Sequence, residues 1–255
     1  MFAIRAAYVP PILVPRRSRA RTLVGAALTS AWTDDDFRTL AEIAARNRIL
    51  DPAFLLNVFT SESGLQPNAV NRNSSGYPVA VGLNQFTSIA NSVLGITEEQ
   101  RVDIPNWSVS EQLPLTDKMF AAQPWTKAGR DYDSAASVYE AIFAPGRMLS
   151  RGTSYDTILY EQTADAAGYA SNKGLDNSPD PERVKARERD EGYITVGDLA
   201  RRLDFVATFP IYKEALERLR AVSGTASGDA GGVSWWQYAA LGVFAAGVGI
   251  YAFVR

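Results

Sequence analysis

The stretch ESGLQPNAVNRNSSGYPVAVGLNQF, residues 62–86, decides how this chain is read. It begins where an apolar segment ends. Leu55, Val58 and Phe59 recur at helical spacing behind Asp51 and Pro52. Asp is a favoured helix N-cap, and Pro fits the first turn because its missing N–H would have no partner there. Gly64 and Pro67 stop the helix. Glu62 therefore falls in the last turn of an otherwise apolar helix. Burial penalises the charged form of a carboxyl group, and the negative end of the helix dipole acts in the same direction. A carboxyl so placed keeps its proton toward neutral pH, as a general acid must. A solvent-exposed Glu at a helix end is the commoner case, so the residues that follow carry the decision. Asn68 to Gly82 is rich in Asn, Ser, Gly and Pro and reads as a structured loop, with one small hairpin near Tyr77–Val81.

Two absences narrow the chemistry. The 255 residues include no cysteine, which excludes disulfides, thiolate catalysis and cysteine-based metal sites. They include no histidine, which excludes His-dependent triads, imidazole shuttles and the usual zinc sites. Proton transfer is left to Asp, Glu, Tyr or Lys. A net charge of -2 gives no bulk attraction to nucleic acid. The hydrophobic share of 46% and charged share of 21% suit one sizeable folded domain with attachments.

Working outward, residues 1–31 form a basic arm carrying Pro10, Pro11 and Pro15, then Arg16, Arg17, Arg19 and Arg21. The apolar run Leu23–Leu28 is short for the core of a signal peptide, and a mobile arm is the expectation. Globular character starts at Trp32. Thr33 before Asp34, Asp35 and Asp36 starts a helix whose apolar face is Phe37, Leu40, Ile43 and Ala44. Further helices are predicted around Glu111–Phe120, Tyr132–Phe143 and Val196–Leu219, and no run of alternating strands stands out. The fold class predicted is mainly α. The domain is placed at residues 32–222, followed by a Gly/Ser/Ala linker at 223–234. Residues 235–254 carry no charge and are long enough to cross a bilayer, with Trp235, Trp236 and Tyr238 at one interface and Arg255 at the other end. A single C-terminal transmembrane helix is the expectation, and a lipid membrane becomes a partner through it.

The order Glu62-Ser63-Gly64, Pro67-Asn68-Ala69, Ser75-Gly76 and Gly82-Leu83-Asn84-Gln85 resembles the soluble lytic transglycosylase family. That family's pattern is E-S-x-x-x-P-x-A-x-S-x-x-G-A-x-G-L-x-Q; here Tyr77-Pro78-Val79 replaces a shorter loop. Glu111-Gln112-Leu113 to Lys118-Met119-Phe120 is similar to a second family helix. Tyr139-Glu140-Ala141 to Pro145-Gly146 resembles a third motif, with Glu140 where the familiar version has Asn. The likeness spans about Thr33 to Asp204.

The resemblance implies a lysozyme-like α fold of the goose-type kind and Glu62 as catalytic acid/base. It implies that Ser63, Gly82, Leu83 and Gln85 contact or line a sugar cleft, and that Tyr139 lies near Glu62. The implied reaction cleaves the β-1,4 bond between N-acetylmuramic acid and N-acetylglucosamine in peptidoglycan glycan strands. Glu62 would then also take the C6 hydroxyl proton, closing a 1,6-anhydro ring, with no second carboxylate and no cofactor required. Asp103 is the candidate second carboxylate of a hydrolytic, muramidase-type alternative, and a non-catalytic glycan-binding or structural protein is another. Asp176, Ser178, Asp180 and Asp198 resemble part of a calcium loop, interrupted by the charged stretch 181–191. The favoured location is a phage virion, among its structural proteins and with a role in entry; the bacterial inner membrane facing the periplasm is the alternative.

Overall fold

Thr33, Thr97, Ser108, Ser134 and Thr195 each accept a hydrogen bond from the backbone N–H three residues on, and the side chain there bonds back to the cap's own N–H. This reciprocal arrangement satisfies two otherwise orphaned donors and sets where a helix begins. The computed structural model describes residues 31–176 and 192–226. The basic arm, Ser178, Asp180, the stretch 181–191 and the apolar segment 235–254 lie outside the described residues.

In chain order the elements are α1 (Asp34–Arg46), α2 (Pro52–Ser63), β1 (Val70–Arg72), β2 (Pro78–Val81), α3 (Asn91–Leu94), α4 (Glu98–Asp103), α5 (Val109–Ala122) and α6 (Pro124–Lys127). There follow α7 (Ala135–Phe143), α8 (Pro145–Arg151), β3 (Ile158–Glu161), α9 (Ala166–Asp176), β4 (Tyr193–Thr195), α10 (Val196–Val206) and α11 (Pro210–Ala226). The described chain is mainly helical, with β1 and β2 paired antiparallel and β3 and β4 paired antiparallel. None of its helices is long and apolar enough to cross a membrane.

The core is built around α2. Every residue from Leu55 to Ser63 is buried, and α1, α7, α10 and α11 pack against this helix. Leu55, Leu56, Val58 and Phe59 have no exposed surface, worth roughly 2 kcal/mol of burial each. Trp32 covers one end, its ring centroid 5.1 Å from Phe37 and 6.2 Å from Phe59. Its indole N–H donates to the Leu65 carbonyl at 2.9 Å, which ties the start of the domain to the chain leaving α2.

Several boundaries differ from the sequence reading. The helix expected from Tyr132 begins at Ala135, because Ser134 caps it; Tyr132 instead bridges to Ile49 in parallel register. The segment Val196–Leu219 is two helices, not one. Pro210 offers no backbone N–H to continue α10 and sits at the start of α11. That last helix runs to Ala226, so the start of the segment read as linker is helical. The β3–β4 pair was not expected: its strands are three or four residues long and far apart in sequence.

Candidate active site

α2 ends on Gly64, whose φ of 63° is the left-handed cap that glycine adopts without a Cβ penalty. Its N–H donates to the Thr60 carbonyl at 3.0 Å. The hydroxyls of Thr60 and Ser63 fold back onto the carbonyls of Leu56 and Phe59, at 2.8 and 2.9 Å. Those two polar groups are thereby satisfied inside the helix, leaving Ser61 and Glu62 to be met from other elements. Tyr139, on α7, donates its hydroxyl to Glu62 Oε1 at 2.5 Å. Arg202, on α10, donates from Nε to Ser61 Oγ at 3.2 Å. The packing of α7 and α10 against α2 thus gathers Ser61, Glu62, Tyr139 and Arg202 into one cluster.

The electrostatics follow from burial. Glu62 is 8% exposed, and loss of solvation pushes its pKa from 4.5 up to about 7, against the pull of the Tyr139 hydrogen bond and the Arg202 charge. At neutral pH the carboxyl group is close to half protonated, so it can give a proton and take one back. Tyr139 is driven well above 10 by its own burial and by the Glu62 charge. It therefore remains a hydroxyl donor across the range in which Glu62 titrates.

Gly82, Leu83 and Gln85 form a separate tight turn, tied to the segment that leaves α2. Gly82 N–H donates to the Ala69 carbonyl at 2.8 Å, and the Gln85 amide donates to the carbonyls of Gly82 and Ala69 at 2.9 and 3.4 Å. The expectation that these residues line a sugar cleft meets a different arrangement. Leu83 is fully buried in the core, and its N–H is bonded to Gln112 Oε1 at 2.9 Å. The open face of Gly82 is filled by protein: a Cβ there would stand 2.5 Å from Gln112 Oε1 and 2.6 Å from Ile104 Cγ2. Both Gly82, at φ 73°, and Gln85, at φ 49°, are left-handed. These residues shape the turn, and the N–H groups of Gly82 and Leu83 and the Gln85 amide nitrogen are bonded to neighbouring protein. Ser63 is likewise buried with its hydroxyl taken.

Gln112, fully buried on α5, holds this region together. Its amide donates to the carbonyls of Pro67, Ile104 and Trp107 at 2.8, 3.1 and 3.0 Å while its oxygen holds Leu83. The neighbouring Glu111 closes the capping box of α5 with Ser108. The second motif is thus one residue that starts a helix and one that staples two loops.

The acidic candidates separate. Asp103 is exposed and accepts from Asn106 and Trp107 at 2.7 and 3.1 Å, which holds its pKa below the usual carboxylate value. It lines an open pocket of about 460 Å³ with Tyr77, Glu98, Glu99, Val102 and Asn106; Glu62 is not among the lining residues. Asp198 caps α10 and pairs with Arg201. Asp176 accepts from the Tyr169 hydroxyl and from Gly192 N–H at 2.5 and 3.2 Å. Among the described residues no group of three or more acidic side chains could hold a metal ion. The proposed calcium ligands Asp176 and Asp198 thus serve local protein contacts, and Ser178 and Asp180 fall outside the described residues.

The sequence reading did not name Ser61 or Arg202, and it met Gln112 and Glu140 only as members of motifs, with no role for either. Glu140 follows Tyr139 on α7, has no exposed surface, and neither of its oxygens has a hydrogen-bond partner among the described residues. Burial pushes its pKa up to about 7. Arg202 lies 141 residues from Ser61, beyond the reach of any local pattern. Comparison of the chain with protein-family models, curated proteins and solved structures returns no match.

Proposed function

We propose that this chain is a peptidoglycan lytic transglycosylase with a lysozyme-like domain, and that Glu62 is its catalytic acid and base. The observation that carries the reading is the hydrogen bond from Tyr139 to Glu62, two residues 77 apart drawn from separate motifs and buried together. A carboxyl group poised near pH 7 and oriented by a phenol is equipped for proton transfer in both directions.

In the proposed reaction Glu62 begins protonated, with Tyr139 holding Oε1. It gives its proton to the glycosidic oxygen linking N-acetylmuramic acid to N-acetylglucosamine, and the C–O bond breaks through an oxocarbenium-like state. The new carboxylate is stabilised by the Tyr139 hydroxyl and by the Arg202 charge. It then accepts the proton of the muramoyl C6 hydroxyl as that oxygen closes on C1. The products are a 1,6-anhydro-muramoyl end and a free C4 hydroxyl, and Glu62 is returned to its acid form. Asp103, exposed in a pocket that Glu62 does not line, has no part in this route. The apolar segment 235–254 is proposed to hold the enzyme at a membrane, in a virion that opens the wall locally during entry.

Mass analysis of muropeptides released by the full chain, compared with Glu62→Gln, tests the reading. Anhydro-muramoyl products that disappear in the variant are expected. Reducing-end products would make it a hydrolase, and products unchanged by the substitution would remove Glu62 as the catalyst.

A further inference from the structure

α10 carries two consecutive arginines with different fates. Arg201 pairs with Asp198 on its own helix. Arg202 is half-buried and donates only its Nε, to Ser61. Among the described residues its two terminal nitrogens have no hydrogen-bond partner, and no carboxylate forms an ion pair with it. Its charge is nevertheless felt at Glu62 and at Tyr139. A guanidinium has five donors in a planar fork that matches a carboxylate, and a partly desolvated one gains by finding that partner. When Glu62 is protonated, Arg202 is the one charged side chain of the four-residue cluster, so the cluster is cationic in the state that receives substrate.

The glycan proposed above alternates two sugars with nearly the same ring. Cleavage at the right bond requires that the muramoyl ring, not the glucosaminyl ring, occupy the side of Glu62 where C1 and C6 react. The two rings differ in the lactyl ether on the muramoyl C3. That substituent ends in a carboxylate, or in a stem peptide that bears its own. We propose that Arg202 sets the register of the glycan by receiving a carboxylate of the muramoyl substituent, which makes it the specificity-determining residue of this site. The inference rests on the glycan-cleaving reading of Glu62.

The test compares kcat/KM of the full chain on peptidoglycan strands with free carboxylates and on the same strands after methyl esterification. Parent, Arg202→Gln and Arg202→Lys are measured on both. A charge-assisted hydrogen bond corresponds to about a ten- to hundred-fold preference for the free carboxylates in the parent. Arg202→Gln is expected to abolish that ratio and Arg202→Lys to keep part of it. Removing the positive charge also lifts the pKa of Glu62, but that acts on both substrates alike, so the ratio isolates recognition. Strands stripped of peptide, with only the lactyl carboxylate, and strands with peptides attached show which carboxylate is read. A parent indifferent to esterification overturns the inference without any variant, even if Arg202→Gln does not fold. An Arg202→Gln protein that cleaves with the parent's ratio overturns it too. A parent that releases no product from any strand overturns the glycan reading itself, and the inference with it.

Discussion

Replacing Glu62 by Gln should stabilise the fold, and by an amount that depends on pH in a calculable way. In the folded chain the Glu62 pKa is raised from 4.5 to about 7. The sign follows from proton counting. Below pH 4.5 both the folded and the unfolded chain carry the proton, and the group imposes no penalty. As the pH rises the unfolded chain ionises first, so the folded state loses ground until it too ionises near 7, and the penalty is constant above that. A difference of about 2.5 pKa units corresponds to about 3 kcal/mol. Gln keeps the size of the protonated acid and still accepts from Tyr139 through its carbonyl oxygen, but it cannot ionise. Urea unfolding of parent and Glu62→Gln between pH 4.5 and 8 gives the two curves, and their difference removes every other titrating group. The difference should grow by about 3 kcal/mol across that range in favour of Glu62→Gln and then level off. A difference curve that stays flat would show that Glu62 ionises as it does in solvent, and the argument for a buried acid would fail with it.

Glu140→Gln should remove a second, similar share of the pH dependence, since Glu140 is pushed to about 7 by burial alone; unfolding curves that keep the parent's slope between pH 5 and 7 would contradict this. Tyr139→Phe removes the bond that holds the Glu62 carboxylate, so the pKa of Glu62 should rise further and the basic limb of the pH–rate profile should move to higher pH. With it kcat should fall about ten-fold or more, and an unmoved limb would mean the phenol does not act on Glu62. Gly82→Ala forces a left-handed residue and drives a Cβ into Gln112, at a cost of about 2–3 kcal/mol. Gly76→Ala, at φ 84° but with nothing within 4 Å, should cost only about 1 kcal/mol of backbone strain, so equal losses in thermal melts of the two variants would refute the steric account.

The buried place of Glu62 in the last turn of α2 was legible in the sequence because it is set locally. Asp51, Pro52 and Gly64 set the ends of α2, and the apolar run between them implies burial. The same holds for the capping boxes at Thr33 and Ser108, which need only a span of three residues. The motif order also pointed to Tyr139 beside Glu62. Side-chain direction inside the turn after β2 was not legible. The family resemblance implies that Gly82, Leu83 and Gln85 contact a sugar. Leu83 in fact faces the core, and Gln85 bonds to backbone carbonyls, because the turn must satisfy its own polar groups before it can serve anything else.

The residue types and their spacing along the chain determined that this protein is mainly helical, that no thiol or imidazole is on hand for any proton transfer, and that Glu62 falls at the end of an apolar helix. Tertiary structure alone decided that Arg202 meets Ser61 across 141 residues, that Gln112 staples the chain leaving α2 to the turn after β2, and that Glu140 is sealed from solvent. Periodicity and capping are local properties, carried by side chains within a turn or two of one another. Which helix faces meet depends on how the whole core packs, and that packing supplies both the low-dielectric surroundings that lift the pKa of Glu62 and the cation that stands beside it.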